Sequence, residues 1–260
     1  MNVAFAADTP LSGEGVLLFV RFVASLENYG GLYIDFTDIL FNESILAIHD
    51  RGYCSITQLT NLDVTPTTGT LLVGETLQFE ASGGQAPYSW SVSNPALAGI
   101  DINGLLTALE GGTVKVNAQD AIGATGASGN IEIYDTKVTI PDTSVEIGST
   151  FDLPIFIGDL PSGKEIFSFQ ATMTIDTAAL KNIEMVNSGS LSDGWSLADN
   201  LNGKEFTFAL AGTTPITTSG VLIILRFRID ADINNGHKST LKFDDFILNE
   251  GKPRALVEHG

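Results

Sequence analysis

The chain has 260 residues, 31 of them acidic and 13 basic, for a formal net charge of -18. Phosphate recognition needs clustered Lys and Arg, so this balance excludes a nucleic-acid surface and disfavours binding to an anionic membrane. A single cysteine, Cys54, and three histidines, His49, His237 and His259, exclude an intrachain disulfide framework and a cysteine-based zinc site.

The length is that of about two domains. Hydrophobic residues make up 43% of the chain, enough for real cores, and the 27 glycines with many Thr, Ser, Val and Ile predict an all-β fold. Ala4-Phe5-Ala6 matches a signal-peptidase site in outline, but no apolar stretch precedes it. The longest apolar runs are Val16–Val20 and Val221–Leu225, five residues each, ended by Arg21 and Arg226. Both predict buried strands, and neither approaches the roughly 18 residues of a membrane-spanning helix.

An internal repeat sets the organisation. Ala4–Pro10 aligns with Ala209–Pro215, and Gly15–Phe22 with Gly220–Phe227, at an offset of 205. After a two-residue insertion, Phe36-Thr37-Asp38 matches Phe243-Asp244-Asp245, and Asn42-Glu43 matches Asn249-Glu250. The predicted architecture is therefore tandem β-sandwiches: residues 1–60 as the C-terminal half of one module, 61–135 as a separate sandwich, and 136–260 as a second copy of the first module. Copy one continues into a strand-like Tyr53-Cys54-Ser55-Ile56-Thr57, whereas copy two stops about where that strand begins. Copy two is thus expected to lack its last strand, as in a piece cut from a longer array. Incomplete sandwiches expose edges, so Tyr53, Cys54, Ser55, Ile56 and Thr57 are a candidate strand-exchange edge that would complete copy two of another chain.

In the middle unit, Val64–Glu80 alternates around a Gly74-Glu75 turn, and Tyr88–Val92 alternates again. Asn94-Pro95 turns the chain, Asn103-Gly104 marks a hairpin, and Thr113–Ala118 and Asn130–Tyr134 are further strands. Short strands at this spacing mean a sandwich, with Trp90 as its expected central aromatic.

These units resemble known families. Leu72–Phe79, Trp90–Pro95, Asn103–Leu109 and Gly111–Val116 resemble the bacterial Ig-like (group 2) family over nearly all of 61–135. Residues 137–260 resemble a cohesin domain, on Val145–Gly148, Phe151–Ile155, Phe167–Gln170, the Asp176 to Leu180 corner, Gly189-Ser190-Leu191, Phe206–Ala209, Gly220-Val221-Leu222 and Leu248–Gly251. The resemblance implies a nine-stranded jelly-roll-like sandwich and a binding or scaffolding role, since cohesins of cellulosomes hold dockerins. The acidic, disulfide-free, Thr- and Gly-rich composition points to an extracellular or bacterial cell-surface setting.

For chemistry, Asp230-Ala231-Asp232-Ile233-Asn234 places oxygen ligands at alternating positions, as Ca²⁺ requires. An EF-hand loop wants Gly at position six and Glu at twelve; Asn235 and Leu241 stand there, so the competing reading is a polar hairpin turn. No histidine lies in a nucleophile motif. The expected function is a non-enzymatic adhesion or scaffold module, partnered by a dockerin-like module or another copy of itself. The alternative is a carbohydrate-binding module of a polysaccharide-degrading system, for which Trp195 and Tyr53 are the candidate stacking residues.

Overall fold

A computed structural model describes residues 61–258 and, ahead of them, the backbone of four short strands. Every described element is a strand. The chain divides into two compact units, 1–59 and 60–260. In the first, Gly30–Ile34 pairs antiparallel with Gly52–Ile56, and Leu40–Phe41 with Ile45–Leu46. The strand expected at Tyr53–Thr57 is thus already bonded within its own unit along one side. His49, His259 and the repeat match at residues 4–22 lie outside the described residues.

The second unit holds two sandwiches with separate cores. The first has strands Gly69–Leu72, Gly112–Val114 and Ile131–Tyr134 in one sheet, with Ile131–Tyr134 parallel to Gly69–Leu72. Ser89–Val92, Val116–Gln119 and Thr125–Ala127 form another, and Thr76–Gln78, Leu105–Ala108 and Ala98–Ile100 a third. Alternate residues Val114, Val116, Ala118, Ile131 and Ile133 point inward and are buried around Phe79 and Leu106. The 101–104 hairpin turn follows from its residues: Asp101 Oδ1 accepts the amides of Asn103 and Leu105 at 2.8 Å each, and Gly104 takes φ +81°. The expected central role of Trp90 is corrected. Phe79 is the fully buried aromatic, while Trp90 is half-buried, its ring packed where a Cβ on Gly104 would come within 3.0 Å. Trp90 instead packs against the edge of that core.

Nine strands build the second sandwich: β1 (Thr136–Thr139), β2 (Thr150–Ile157), β3 (Ile166–Thr174), β4 (Leu180–Val186), β5 (Ser196–Asn202), β6 (Glu205–Ile216), β7 (Gly220–Ile229), β8 (Lys242–Leu248) and β9 (Ala255–Glu258). They form two sheets, ordered β4-β7-β2-β1-β9 and β5-β6-β3-β8. Period-2 alternation places Leu153, Ile155 and Ile157 of β2, Ile223, Leu225 and Phe227 of β7, and Phe169, Ala171 and Met173 of β3 in one core, and a register shift between β2 and β7 at Ile155/Phe156 lets Leu222 join them. Phe206 and Phe208 face the same core from β6, and Phe243 from β8, with ring centroids of Phe208 and Phe243 6.3 Å apart. Sequence reading placed a strand at Val221–Leu225 correctly, but only Leu222, Ile223 and Leu225 are buried, while Val221 and Ile224 are half-buried on the outer side.

The expectation that this sandwich lacks its last strand does not hold. Ala255–Glu258 pairs parallel with Thr136–Thr139, from Thr136 opposite Ala255 to Thr139 opposite Glu258. Four residues suffice because Ala255 and Val257 pack onto the core. The place where another chain's strand would have entered is filled by this chain.

Truncating an inward ring should cost far more than truncating an outward one. Phe208→Ala is expected to lose about 3–5 kcal/mol, and Phe156→Ala, on the outer side of β2, less than about 1 kcal/mol. Denaturant unfolding followed by tryptophan fluorescence measures both.

A candidate docking face and the junction that carries it

The register of β5-β6-β3-β8 reads as a grid on its outer side. One row runs Asn200, Thr207, Thr172, Asp245; the next runs Ala198, Ala209, Gln170, Ile247. Beyond them lie Ser196, Ala211 and Ser168, against which Asn249 sits, its amide donating to the Ser168 carbonyl at 2.7 Å. Most of these side chains are short, so the face is flat, with a shallow depression lined by Ser168, Gln170, Ala198, Ala209, Ala211 and Asn249. Its charged groups are chiefly acidic: Glu205, Asp244 and Asp245 against Lys242. Thr174 Oγ1 donates to Asp244 Oδ2 at 2.6 Å and fixes that carboxylate at one end.

Asn249 holds the other end. Its Oδ1 accepts the amides of Phe167 and Ser168 at 2.8 and 3.2 Å, and its Nδ2 donates to the carbonyls of Glu165 and Lys252 at 2.9 and 2.8 Å. Its φ of +46° lies in the left-handed region, which Asn tolerates better than most residues. Sequence reading saw Asn249 as a repeat of Asn42 and as part of the cohesin-like Leu248–Gly251 segment, without a role for its side chain; an Asn-Glu-Gly run after a strand was the available signal. Exposed Phe167 stands beside this clamp, next to Glu250 and Lys252.

At the adjoining end, Asp135 joins the two sandwiches. Its side chain is 2% exposed. Oδ1 accepts the Gly111 amide at 3.2 Å and Oδ2 the Arg254 amide at 2.7 Å, while Lys164 Nζ lies 3.7 Å away. A Cβ on Gly111 would sit 2.2 Å from Asp135 Oδ2, so glycine is required there. Arg254 reaches back across the junction: Nη2 to Glu132 at 2.9 Å, Nη1 to the Ile133 carbonyl at 3.3 Å, and its guanidinium 4.8 Å from the Tyr134 ring centre. Lys164 Nζ donates to Glu110 Oε1 at 3.1 Å. The cations lower both carboxyls, the hydrogen bond from Arg254 being the main cause for Glu132 and that from Lys164 for Glu110. In the sequence Asp135 looked like no more than the residue before a boundary.

The run proposed for Ca²⁺ forms the turn after β7. Asp230 Oδ1 accepts the Asp232 amide at 2.9 Å, and Oδ2 lies 3.4 Å from Lys181 Nζ. Asp232 and Asn234 are exposed to solvent, and no group of three His, Cys, Asp or Glu able to hold a metal occurs among the described residues. A neighbouring lysine and a turn amide engage the first carboxylate, so the geometry is that of a braced hairpin turn.

Trp195 is likewise not a stacking platform. It is 6% exposed, its Nε1 donates to the Thr214 carbonyl at 3.1 Å, and its ring occupies the space over Gly212. The other stacking candidate, Tyr53, lies in a strand whose side chains are outside the described ones.

His237, read from sequence as a turn residue, has a specific partner. Its Nε2 donates to Asp176 Oδ2 at 2.8 Å, and Ser239 Oγ donates to the same oxygen at 2.8 Å. Asp176 also caps the turn after β3, accepting the Ala178 amide at 3.1 Å. The His237 bond first, then that of Ser239, brings the Asp176 carboxyl from 3.8 down to about 2. Ser239 thus faces a carboxylate already shared with histidine, whereas a hydrolytic triad needs the serine bonded to the histidine.

Comparison with known proteins follows the same division. The cohesin-domain family model matches residues 136–255, and the model described as intimin, immunoglobulin-like domain matches residues 72–122. Among similar solved structures is the sixth cohesin of Acetivibrio cellulolyticus scaffoldin B in complex with a Cel5 dockerin mutant, at 18% identity and TM-score 0.42, covering 48% of this chain and 95% of that one. A Coh-OlpC–Doc435 complex from Clostridium thermocellum shares 23% identity at TM-score 0.40, covering 49% and 91%. A non-cellulosomal cohesin from Archaeoglobus fulgidus shares 15% at TM-score 0.39, covering 48% and 88%. No curated protein matches the chain.

Two outcomes follow. Asp135→Ala leaves the Gly111 and Arg254 amides without acceptors and should destabilise by about 1–3 kcal/mol per orphaned group, whereas Glu184→Gln, an exposed change, should shift stability by less than about 0.5 kcal/mol; denaturant titration compares them. The Asp176 latch stabilises the fold fully above its unfolded value of 3.8 and loses that contribution as pH falls towards about 2. Thermal midpoints between those limits should therefore fall more steeply in the wild type than in His237→Ala.

Proposed function

We propose that the chain is an extracellular scaffold or adhesion segment whose 136–258 sandwich binds a protein partner on the outer face of β5-β6-β3-β8. The observation that carries this reading is the cohesin-domain match over residues 136–255. It is supported by the flatness of that face, its row of small side chains Ala198, Ala209 and Ala211, and the clamp of Asn249 at its end. Short side chains let a partner helix or strand approach closely, and Ile247 supplies an apolar contact.

The partner class we propose is a dockerin-like module. With Glu205, Asp244 and Asp245 on the face, it should present Lys or Arg towards them. The module works by binding, not catalysis: the Asp176, His237 and Ser239 cluster is arranged as a brace between turns. The Ig-like sandwich serves as a spacer that the Asp135 junction holds to its neighbour. No helix among the described residues is long and apolar enough to cross a membrane.

Titration calorimetry of the full chain against a panel of dockerin modules tests this. One-to-one binding is expected with at least one of them, and Ala209→Arg should weaken it at least 100-fold, about 2.7 kcal/mol, while leaving the thermal midpoint unchanged. Binding that survives Ala209→Arg would remove the face from the account.

A further inference from the structure

The opposite sheet carries the more apolar surface. On its outer side, Val186 of β4 lies beside Ile224 of β7, which lies beside Pro154 of β2. Phe156 follows two residues along β2, paired with Val221 on one side and Thr139 on the other. Phe156 is 36% exposed, and Val186, Ile224, Pro154 and Val221 are each half-buried. A sheet face turned to water is ordinarily polar at these positions, and their strand neighbours Leu153, Ile155, Leu222 and Leu225 already fill the core. The patch is therefore a second hydrophobic layer with nothing in the sandwich to cover it.

Its rim differs from the rest of the chain. On one side Arg226 makes a double hydrogen bond to Asp152, at 2.7 and 2.9 Å, with Glu184 3.8 Å from the guanidinium, and Arg228 lies one outward position further along β7. On the other side Lys137 pairs with Glu258 at 3.5 Å. That makes three acids (Asp152, Glu184, Glu258) and three bases (Arg226, Arg228, Lys137) in a chain of 31 acids and 13 bases. Two copies approaching through most other surfaces bring acid against acid. Here each rim offers both signs, so a two-fold axis can set Arg of one copy against carboxylate of the other.

The repeat supplies a second, independent observation. Aligned at the offset of 205, Val221, Ile224 and Arg226 correspond to Val16, Phe19 and Arg21. The two outward positions that water would make polar are apolar in both copies, and the arginine beside them is kept.

We propose that the outer face of β4-β7-β2-β1-β9 is a self-association surface that meets the same face of a second copy of this chain. It is distinct from the partner face and leaves it open, so a chain can pair with its like while holding another protein. The five strands hold 7, 10, 8, 4 and 4 residues, and at about 3.4 Å along by 4.8 Å across per residue they give a face of roughly 540 Å². Two such faces bury about 1,100 Å², below the standard interface size, so the dimer is weak and concentration-dependent.

Sedimentation velocity of the full chain over a concentration series into the millimolar range tests this. The expected result is a monomer–dimer equilibrium that is lost in Phe156→Lys and in Ile224→Lys, and retained in Ala209→Arg. Both lysines replace outward side chains, and circular dichroism checks that each variant is folded. A wild type that stays monomeric throughout overturns the proposal. So does association that survives both lysine variants, which would place the contact elsewhere in the chain. Because Ala209→Arg reports the partner face separately, failure of one surface is distinguishable from failure of the other.

Discussion

The parallel pairing of Thr136–Thr139 with Ala255–Glu258 is the contact on which the rest of the described structure depends. It closes the nine-stranded sandwich by joining the first strand to the last, across 115 intervening residues between Thr139 and Ala255. It also fixes what stands just before each strand. Asp135 precedes β1 and Arg254 precedes β9, and the two exchange backbone bonds: the Asp135 amide to the Arg254 carbonyl at 2.9 Å, the Arg254 amide to the Asp135 carboxylate at 2.7 Å. From that corner the carboxylate reaches Gly111 and the guanidinium reaches Glu132, so one strand pair seals a core and clasps a neighbouring sandwich. The buried carboxylate is tolerable because two backbone amides donate to it and the Lys164 ammonium lies 3.7 Å away; removing the carboxylate leaves both amides without acceptors at the joint.

Two sheets packed face to face necessarily leave two outer faces, and here their chemistry diverges. The β5-β6-β3-β8 face is small-sided and acidic at one end; the other is apolar in the middle with balanced charges at the rim. Small side chains favour close approach by a rigid partner, while an apolar band favours a surface that can be shared out by mass action. The Asn249 clamp and the Asp135 junction lie near the same end of the molecule through Glu165, Lys164 and Lys252. The Asn249 end of the β5-β6-β3-β8 face thus lies beside the residues that contact the Ig-like sandwich.

Much of this was legible in the sequence. Period-2 alternation and turn residues located the strands, the repeat isolated the module, and family resemblance gave the sandwich type. The misreadings share a physical cause: they concern contacts between residues far apart in the chain. The last strand was judged missing because comparison with copy one put it where Tyr53–Thr57 stands; the strand is Ala255–Glu258 instead, defined by its pairing with β1. Trp195 looked available for stacking, yet Gly212, nearly twenty residues on, leaves the space that buries it. The roles of Asp135 and Asn249 were passed over because a polar side chain that braces a fold is identified by its partners, and most of those lie tens of residues away.

Residual dipolar couplings measured on the full chain test the clasp most directly. The account predicts that amides of 61–134 and of 136–258 fit one common alignment tensor, as two sandwiches locked at Asp135 and Arg254 must. Two clearly different tensors would show independent motion across the junction and would contradict it.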